Sequence, residues 1–180
     1  MTTYIQDVDK TIEVLRSAGK WLLDSGKKPS KWWQLDNLNK EFLFQYAKPE
    51  EFYVGLVDNR PAVAAILQQE QKAQNWQDVD RGKPQLAIYI HWLCVDRHFA
   101  GKSLTHDLIN FAAELAEQKG ISLLRADTNA AESKLRKIYE DMGFELVAIK
   151  REDYRDTALY QKKVNNSSPN TGYTADLKGI

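Results

Sequence analysis

The sequence predicts one α/β (α+β) domain built on a mixed, mostly antiparallel central sheet of about six to seven strands flanked by helices. Three observations predict it. Two β-like runs, 52–57 and 61–67, are joined by Asp58-Asn59, whose side chains suit a tight hairpin turn. The run 86–95 is apolar at nearly every position except His91, the pattern of a strand covered on both faces and therefore central. After it, helix, strand, helix and two further strands follow, so a strand–helix–strand unit adjoins the hairpin.

Before the hairpin, residues 9–23 carry Ile12, Leu15, Ala18 and Leu22 three or four apart, one face of a helix, with Ser25-Gly26 as its stop. A polar loop holding Pro29, Trp32 and Trp33 follows, then a second predicted helix over 35–46. Residues 68–83 are polar and read as a loop that contains Trp76. Beyond the central run, Leu104, Leu108, Phe111, Ala112 and Leu115 mark one face of a helix ending at Gly120. A short strand is expected over 121–126. Residues 132–142 form a helix with Leu135, Ile138, Tyr139 and Met142 inward and Gly143 as its stop. Strands over 144–149 and 158–163 complete the domain, 1–164. Residues 165–180, with Ser167, Ser168, Pro169 and Gly172, have the composition of a loose tail. There is no internal repeat.

The 180 residues fit one domain with a substantial core. Hydrophobic residues make up 43% and charged residues 28%, ordinary for a globular protein. Lysine plus arginine equals aspartate plus glutamate, 25 against 25, which argues against nucleic acid as a partner, since a basic excess is the usual footprint. One cysteine, Cys94, leaves no disulfide framework and no clustered metal site, so no metal is expected. No apolar run approaches the roughly 20 residues of a membrane span, and residues 1–10 lack the pattern of a secretory leader. A cytoplasmic protein, monomer or homodimer, is the expectation.

The main chemical feature is the junction Asp96-Arg97-His98-Phe99-Ala100-Gly101-Lys102-Ser103, where a central strand turns into a long helix. Unpaired N–H groups at a helix start carry partial positive charge and bind anions. Gly101 permits close approach of a phosphate, Ala100 and Ser103 are small, and Lys102 adds charge. Gly101-Lys102-Ser103 also invites comparison with a nucleotide-binding P-loop. That motif needs a glycine five positions before Gly101, where this chain has Asp96, and a carboxylate there repels a triphosphate.

Leu93-Cys94-Val95 followed by His98-Phe99-Ala100-Gly101-Lys102-Ser103 resembles the coenzyme-binding stretch of GNAT acetyltransferases, a central strand followed by Arg/Gln-x-x-Gly-x-Gly/Ala. The segment from Leu135 to Phe144 is similar to that family's second signature, a helix ending in Tyr-x-x-x-Gly-Phe, here Tyr139, Gly143 and Phe144. Two positions depart: His98 stands for Arg or Gln, and Ser103 for Gly or Ala. The family often has Asn seven residues before the tyrosine; that position is Glu132 here, with Asn129 three residues earlier as the candidate. A broader likeness runs upstream, through the Trp33 loop and the hairpin near Val63, to bacterial members with unassigned small substrates.

The resemblance implies a GNAT-like acyl-CoA N-acyltransferase fold and transfer of acetyl from acetyl-CoA to a primary amine by direct attack in a ternary complex. The acceptor it implies is a small molecule rather than a protein. The main chain of Leu93, Cys94 and Val95 would hold the pantetheine arm, with one N–H polarising the thioester carbonyl. Residues 98–103 would hold the pyrophosphate. Tyr139 would protonate the leaving thiolate, a transfer uphill by roughly 2 kcal/mol from ordinary pKa values. The acceptor must first lose a proton, which costs about 4.6 kcal/mol at pH 7 for a lysine-type amine. His91, Asp127 and Glu70, each near the end of a strand bordering the cleft, are candidates to receive it. Trp32, Trp33 and Trp76 fall in stretches that lie over the acceptor pocket in that family, and aromatic walls suit an apolar or cationic substrate. A non-catalytic acyl-CoA sensor of the same fold is the alternative.

Overall fold

The computed structural model of the chain describes residues 1–70 and 74–164; the tail expected over 165–180 lies outside them. Seven strands form one sheet in the order β1-β2-β3-β4-β5-β7-β6. They are β1 (Thr3–Gln6), β2 (Phe52–Val57), β3 (Arg60–Gln68), β4 (Ile88–Val95), β5 (Leu123–Asn129), β6 (Glu145–Arg151) and β7 (Asp156–Lys163). Every adjacent pair is antiparallel except β4 and β5, which are parallel and joined by a helical crossover. The run predicted to be central is β4, fourth of the seven.

The hairpin is as expected. Asp58 and Asn59 both have positive φ, 49° and 58°, the backbone of a two-residue type I′ turn whose twist matches that of the strands. The edge strand β1 was not foreseen. It lies on β2 opposite Gly55, where an added Cβ would sit 2.7–2.8 Å from Val63, Thr2 and Tyr4, so the absence of a side chain permits this close approach.

Helix α1 (Val8–Asp24) begins at Asp7, whose carboxylate accepts the Lys10 N–H at 2.9 Å. The second helix predicted over 35–46 is instead a 3₁₀ turn, Leu35–Asn37, followed by a single α-helical turn, α2 (Lys40–Leu43). Asn39 interrupts the pattern: its side chain accepts the Phe42 N–H at 2.9 Å and restarts the helix. The stretch predicted as a loop over 68–83 contains α3 (Gln74–Asp80). Helices α4 (Leu104–Gln118) and α5 (Ser133–Asp141) match their predicted positions within a residue or two. Among the described residues, no helix is long and apolar enough to cross a membrane.

The sheet is covered on both sides. Along β3, Val63, Ala65 and Leu67 pack with Leu104, Leu108 and Ala112 of α4, while the alternate residues Ala64 and Ile66 pack toward α1. This period-2 division sets two main cores on opposite faces, beside smaller clusters around Trp76 and around Val54. One main core lies under α4 and α5. The other joins Ile12 and Leu15 of α1 with Leu38, Leu43, Ala47 and Phe52, and so supports the segment between α1 and β2.

Helix α3 is too short to stand by propensity, and a buried ion pair holds it. Arg125, fully buried on β5, donates to both carboxylate oxygens of Asp80 at 2.6 and 2.9 Å, to Tyr89 Oη at 3.0 Å, and to Gln161 Oε1 at 3.0 Å. The Trp76 ring covers the guanidinium at 4.6 Å. Those hydrogen bonds from Arg125 hold the Asp80 carboxyl below the usual carboxylate range. A depressed carboxylate pKa contributes stability that is present above the unfolded-state pKa, about 4, and is lost as pH falls through the folded value. Asp80→Asn leaves Arg125 buried without its counter-charge and is expected to lower unfolding free energy by about 3 kcal/mol at pH 7. In urea titrations the gap between wild type and variant should close below about pH 4; a gap independent of pH would remove the ion pair from this account.

Candidate active site

Two irregularities open the middle of the sheet. First, β4 carries a bulge. Ala64 pairs with Cys94 and Ile66 with His91, so two steps on β3 face three on β4. Trp92 absorbs the extra residue with φ of +49°, a left-handed conformation that is costly for a bulky side chain. The bulge shifts the alternation of side chains: Ile88 and Ile90 face the α4 side, Trp92 and Cys94 the α1 side, and Leu93 and Val95 return to the α4 side. Asp96 donates its backbone N–H to Ala62 O at 2.8 Å, so in an alternating ladder Val95 turns its own N–H and C=O away from β3, toward β5.

Second, β5 diverges from β4. The two strands pair only over Ile88–Leu124, Tyr89–Arg125 and Ile90–Ala126; from Asp127 onward β5 pairs with β7 alone. Past the bulge, the β5-facing edge of β4 therefore has no strand beside it among the described residues.

A cavity of about 560 Å³ occupies this divergence. Its lining comes from both cores: Ile90, Leu93 and Tyr139 belong to the α4 side, Trp33 and Trp92 to the α1 side. The cavity therefore passes through the plane of the sheet. Four residues singled out for chemistry, Glu70, His91, Asp127 and Tyr139, all line it, as do Trp32 and Trp33. Trp76 does not. It sits on α3, is 1% exposed, and meets Tyr89 edge-on at 5.8 Å, so its expected place over the acceptor pocket is corrected to a core position.

Tyr139 is 1% exposed, wedged between Phe144 and Tyr160 with ring centroids at 5.2 and 5.6 Å. Burial pushes its phenol pKa well up, and the nearby Asp127 carboxylate adds to this. Asp127 lies within β5 and does not cap α5; Arg155 Nη2 approaches it at 4.0 Å. His91 stacks parallel to Tyr89 at 6.5 Å and meets Trp92 edge-on at 6.3 Å. Glu70 is exposed at the rim. Sequence reasoning missed Glu152 and Arg155 in the β6–β7 connection and Thr157 at the start of β7. Thr157 Oγ1 donates to Glu152, Asn75 donates to Glu152 at 3.2 Å, and Arg155 Nε donates to Thr157 Oγ1 at 3.2 Å, so together they form one polar wall. No periodicity marks such residues; they adjoin one another in the β6–β7 hairpin, and its pairing with β5 carries them to the cavity.

At the loop after β4, the amides divide into two groups. Asp96 Oδ1 accepts the His98 N–H at 2.9 Å, Asp96 O accepts that of Phe99 at 2.9 Å, and Arg97 O accepts that of Ala100 at 3.3 Å. The Phe99 side chain is core, 6% exposed. The expected cradle over 98–103 is therefore corrected: the amides of His98, Phe99 and Ala100 already have acceptors. Those of Gly101, Lys102 and Ser103 have none among the described residues. Leu104, Thr105 and His106 are the first turn of α4, whose N–H groups have no partner within the helix. Ser103, at the N-cap, is left-handed with φ of +55° and its hydroxyl caps nothing. Gly101 has φ of +81° and open space over its Cα. An arc of six unpaired donors with room above it fits a diphosphate. Arg97 and Lys102 stand on the same loop.

Two further expectations change. Cys94, facing Ala64 on the same edge as Asp96, turns its backbone polar groups toward β3, and burial raises its thiol pKa, with Asp96 adding to the effect. Asn129 Oδ1 accepts the Ala131 N–H at 3.0 Å and shapes the turn into α5.

A split sheet with a bulged centre strand and an uncapped helix start beside the split is the acyl-CoA N-acyltransferase fold. The sequence model of the Acetyltransferase (GNAT) family matches residues 19–144, and the chain belongs to that family. Among solved structures, a GNAT-family acetyltransferase from Listeria monocytogenes superposes with a TM-score of 0.71 at 21% identity, covering 90% of this chain and 94% of that one. The ribosomal-protein-S18-alanine N-acetyltransferase from Escherichia coli gives 0.64 at 14% identity, covering 96% and 100%. The PaiA N-acetyltransferase from Thermoplasma acidophilum, in complex with coenzyme A, gives 0.65 at 17% identity, covering 91% and 99%. At these identities the likeness speaks for the fold. No curated protein matches the sequence.

Burial of Tyr139 has a measurable outcome. Its phenol should stay protonated at pH values where an exposed tyrosine ionises. Spectrophotometric titration of tyrosinate in the folded protein should therefore give the same amplitude for wild type and Tyr139→Phe, whereas a variant short by one titrating phenol would place Tyr139 in contact with bulk water.

Proposed function

We propose that the protein transfers acetyl from acetyl-CoA to the primary amine of a small molecule, by direct attack within a ternary complex. The observation that carries this reading is the cavity through the sheet. It runs from the free edge of β4 at Leu93 to a second chamber on the α1 side, and β4 leads on to the donor-rich start of α4, so donor and acceptor approach one point from opposite faces. Proximity of this kind supplies much of the rate in a bimolecular transfer.

The amides of residues 101–106 hold the coenzyme's pyrophosphate, assisted by Lys102. The main chain of Leu93 and Val95 flanks the pantetheine arm, and the Val95 N–H, turned toward the open edge, donates to the thioester oxygen as negative charge grows there. The amine nitrogen attacks the carbonyl carbon, the C–S bond breaks, and the electron pair leaves on sulfur. Tyr139 lies against this point with a raised pKa, so it serves as a hydrogen-bond donor to the departing thiolate, and complete proton transfer is less favourable than for an ordinary phenol. The proton lost by the amine passes toward His91 and Asp127 on the cavity floor, with Glu70 at the rim as the outlet to solvent.

Titration of released thiol in the presence of acetyl-CoA and an amine tests the reaction, and calorimetry with coenzyme A tests the donor site. Gly101→Glu places a charged side chain at a left-handed position within the amide arc and should weaken coenzyme binding at least 100-fold. Tyr139→Phe should lower kcat by 10-fold or more while the coenzyme dissociation constant changes less than threefold. Full turnover in Tyr139→Phe would take the residue out of this role.

A further inference from the structure

The acceptor chamber has a chemical bias that narrows its substrate, and the inference rests on the acetyltransferase reading above. We infer that the acceptor is a primary amine on an aromatic or bulky apolar body that carries no carboxylate of its own, an arylalkylamine being the simplest example.

The chamber's apolar wall is aromatic and already rigid. Trp32 meets Trp92 edge-on at 5.8 Å and Tyr46 edge-on at 4.9 Å, with interplanar angles of 79° and 78°. The Trp92 indole N–H donates to Trp32 O at 2.9 Å, so it has a partner and does not seek one on a ligand. Phe44 and Tyr46 line the same cavity, yet each remains 42% exposed. Lys31 Nζ stands over the Trp32 ring at 4.5 Å, and the apolar surface left exposed beside the cavity gains about 25 cal/mol for each Å² that a ligand covers. A polyhydroxylated amine would gain little there, because its hydroxyls would face ring surfaces without partners.

The charges on the other walls set the sign. Among the described residues, four carboxylates, Glu51, Glu70, Asp127 and Glu152, face the cavity against two cations, Lys48 and Arg155. Arg155 is engaged between Asp127 at 4.0 Å and Glu152 at 3.9 Å, and Lys48 is exposed at the rim. A cationic amine is drawn in by this field, whereas an amino acid's carboxylate finds, among the described lining residues, no unengaged cation except Lys48 at the rim. Trp92 links the two requirements. Its left-handed backbone makes the bulge that positions Leu93, and its ring is part of the acceptor wall.

The test compares matched amines at saturating acetyl-CoA, reading thiol release. Phenethylamine should exceed both ethylamine, which lacks the ring, and phenylalanine, which adds the carboxylate, by at least tenfold in kcat/KM. Trp32→Ala should raise the KM for phenethylamine at least tenfold, with the KM for acetyl-CoA changed less than twofold and the KM for ethylamine changed less than threefold; Trp32→Phe should recover most of the loss. Tyr46→Ala, at an exposed position, should give the same split if Trp32→Ala folds poorly by circular dichroism. Equal or better turnover of ethylamine, phenylalanine, spermidine or a peptide with a free N-terminus overturns the inference and leaves the acetyltransferase reading standing. Failure to bind coenzyme A by calorimetry, or no thiol release with any amine, overturns both.

Discussion

The divergence of β4 from β5 is the constraint on which the rest of this structure depends. Parallel neighbours in a sheet ordinarily pair along their length, and separating them leaves backbone donors and acceptors without partners. Here the separation is sustained from two directions. On one side β7 pairs with β5 along its whole length, Leu123 to Asn129, so β5 keeps one complete ladder while its β4-facing edge opens. On the other, the bulge at Trp92 keeps β4 on β3 while shifting its side-chain phase. The groups left open on β4 are therefore confined to a short edge, bordered by the aromatic wall on one face of the sheet and Tyr139 on the other.

This arrangement also explains why the amide arc begins at Gly101 and not at His98. Asp96 ends the strand by bonding back to Ala62, and both its carboxylate and its carbonyl close the next turn. That tight turn fixes the direction in which the chain enters α4. Anion-binding capacity is thus displaced three residues along, to the stretch where left-handed residues at 101 and 103 keep the amides from forming local turns.

Much of this was legible in the sequence, and the exceptions have definite causes. The hairpin at Asp58-Asn59, the central strand, and helices α4 and α5 all follow from short-range patterns that tertiary packing reinforced. Helix α3 escaped notice because Gln74–Asp80 is polar apart from Trp76 and Val79, and its stability comes from Arg125, some 45 residues along the chain. Strand β1 escaped because four residues without alternation carry no period, and its place on the sheet depends on Gly55 fitting against Tyr4. The helix expected over 35–46 failed at Asn39, where a side chain competes with the backbone for the same donor. Of the residues that line the cavity, Leu93 and Tyr139 lie in the two segments that carry the resemblance, and His91 and Asp127 stand near strand ends that the apolar runs marked. Glu152, Arg155 and Thr157 could not be read in this way, since their position depends on how β6 and β7 return to the cavity.

The two cores have a consequence for how such a protein changes over time. Helices α4 and α5, which meet the donor side, rest on one apolar cluster; the segment bearing Trp32, Phe44 and Tyr46 rests on another, anchored by Leu38 and Leu43 against α1. The sheet's pleat insulates one from the other. Substitutions that reshape the aromatic chamber are thereby decoupled from the packing that orients the amide arc, and a lineage can explore new acceptors while its donor chemistry stays intact.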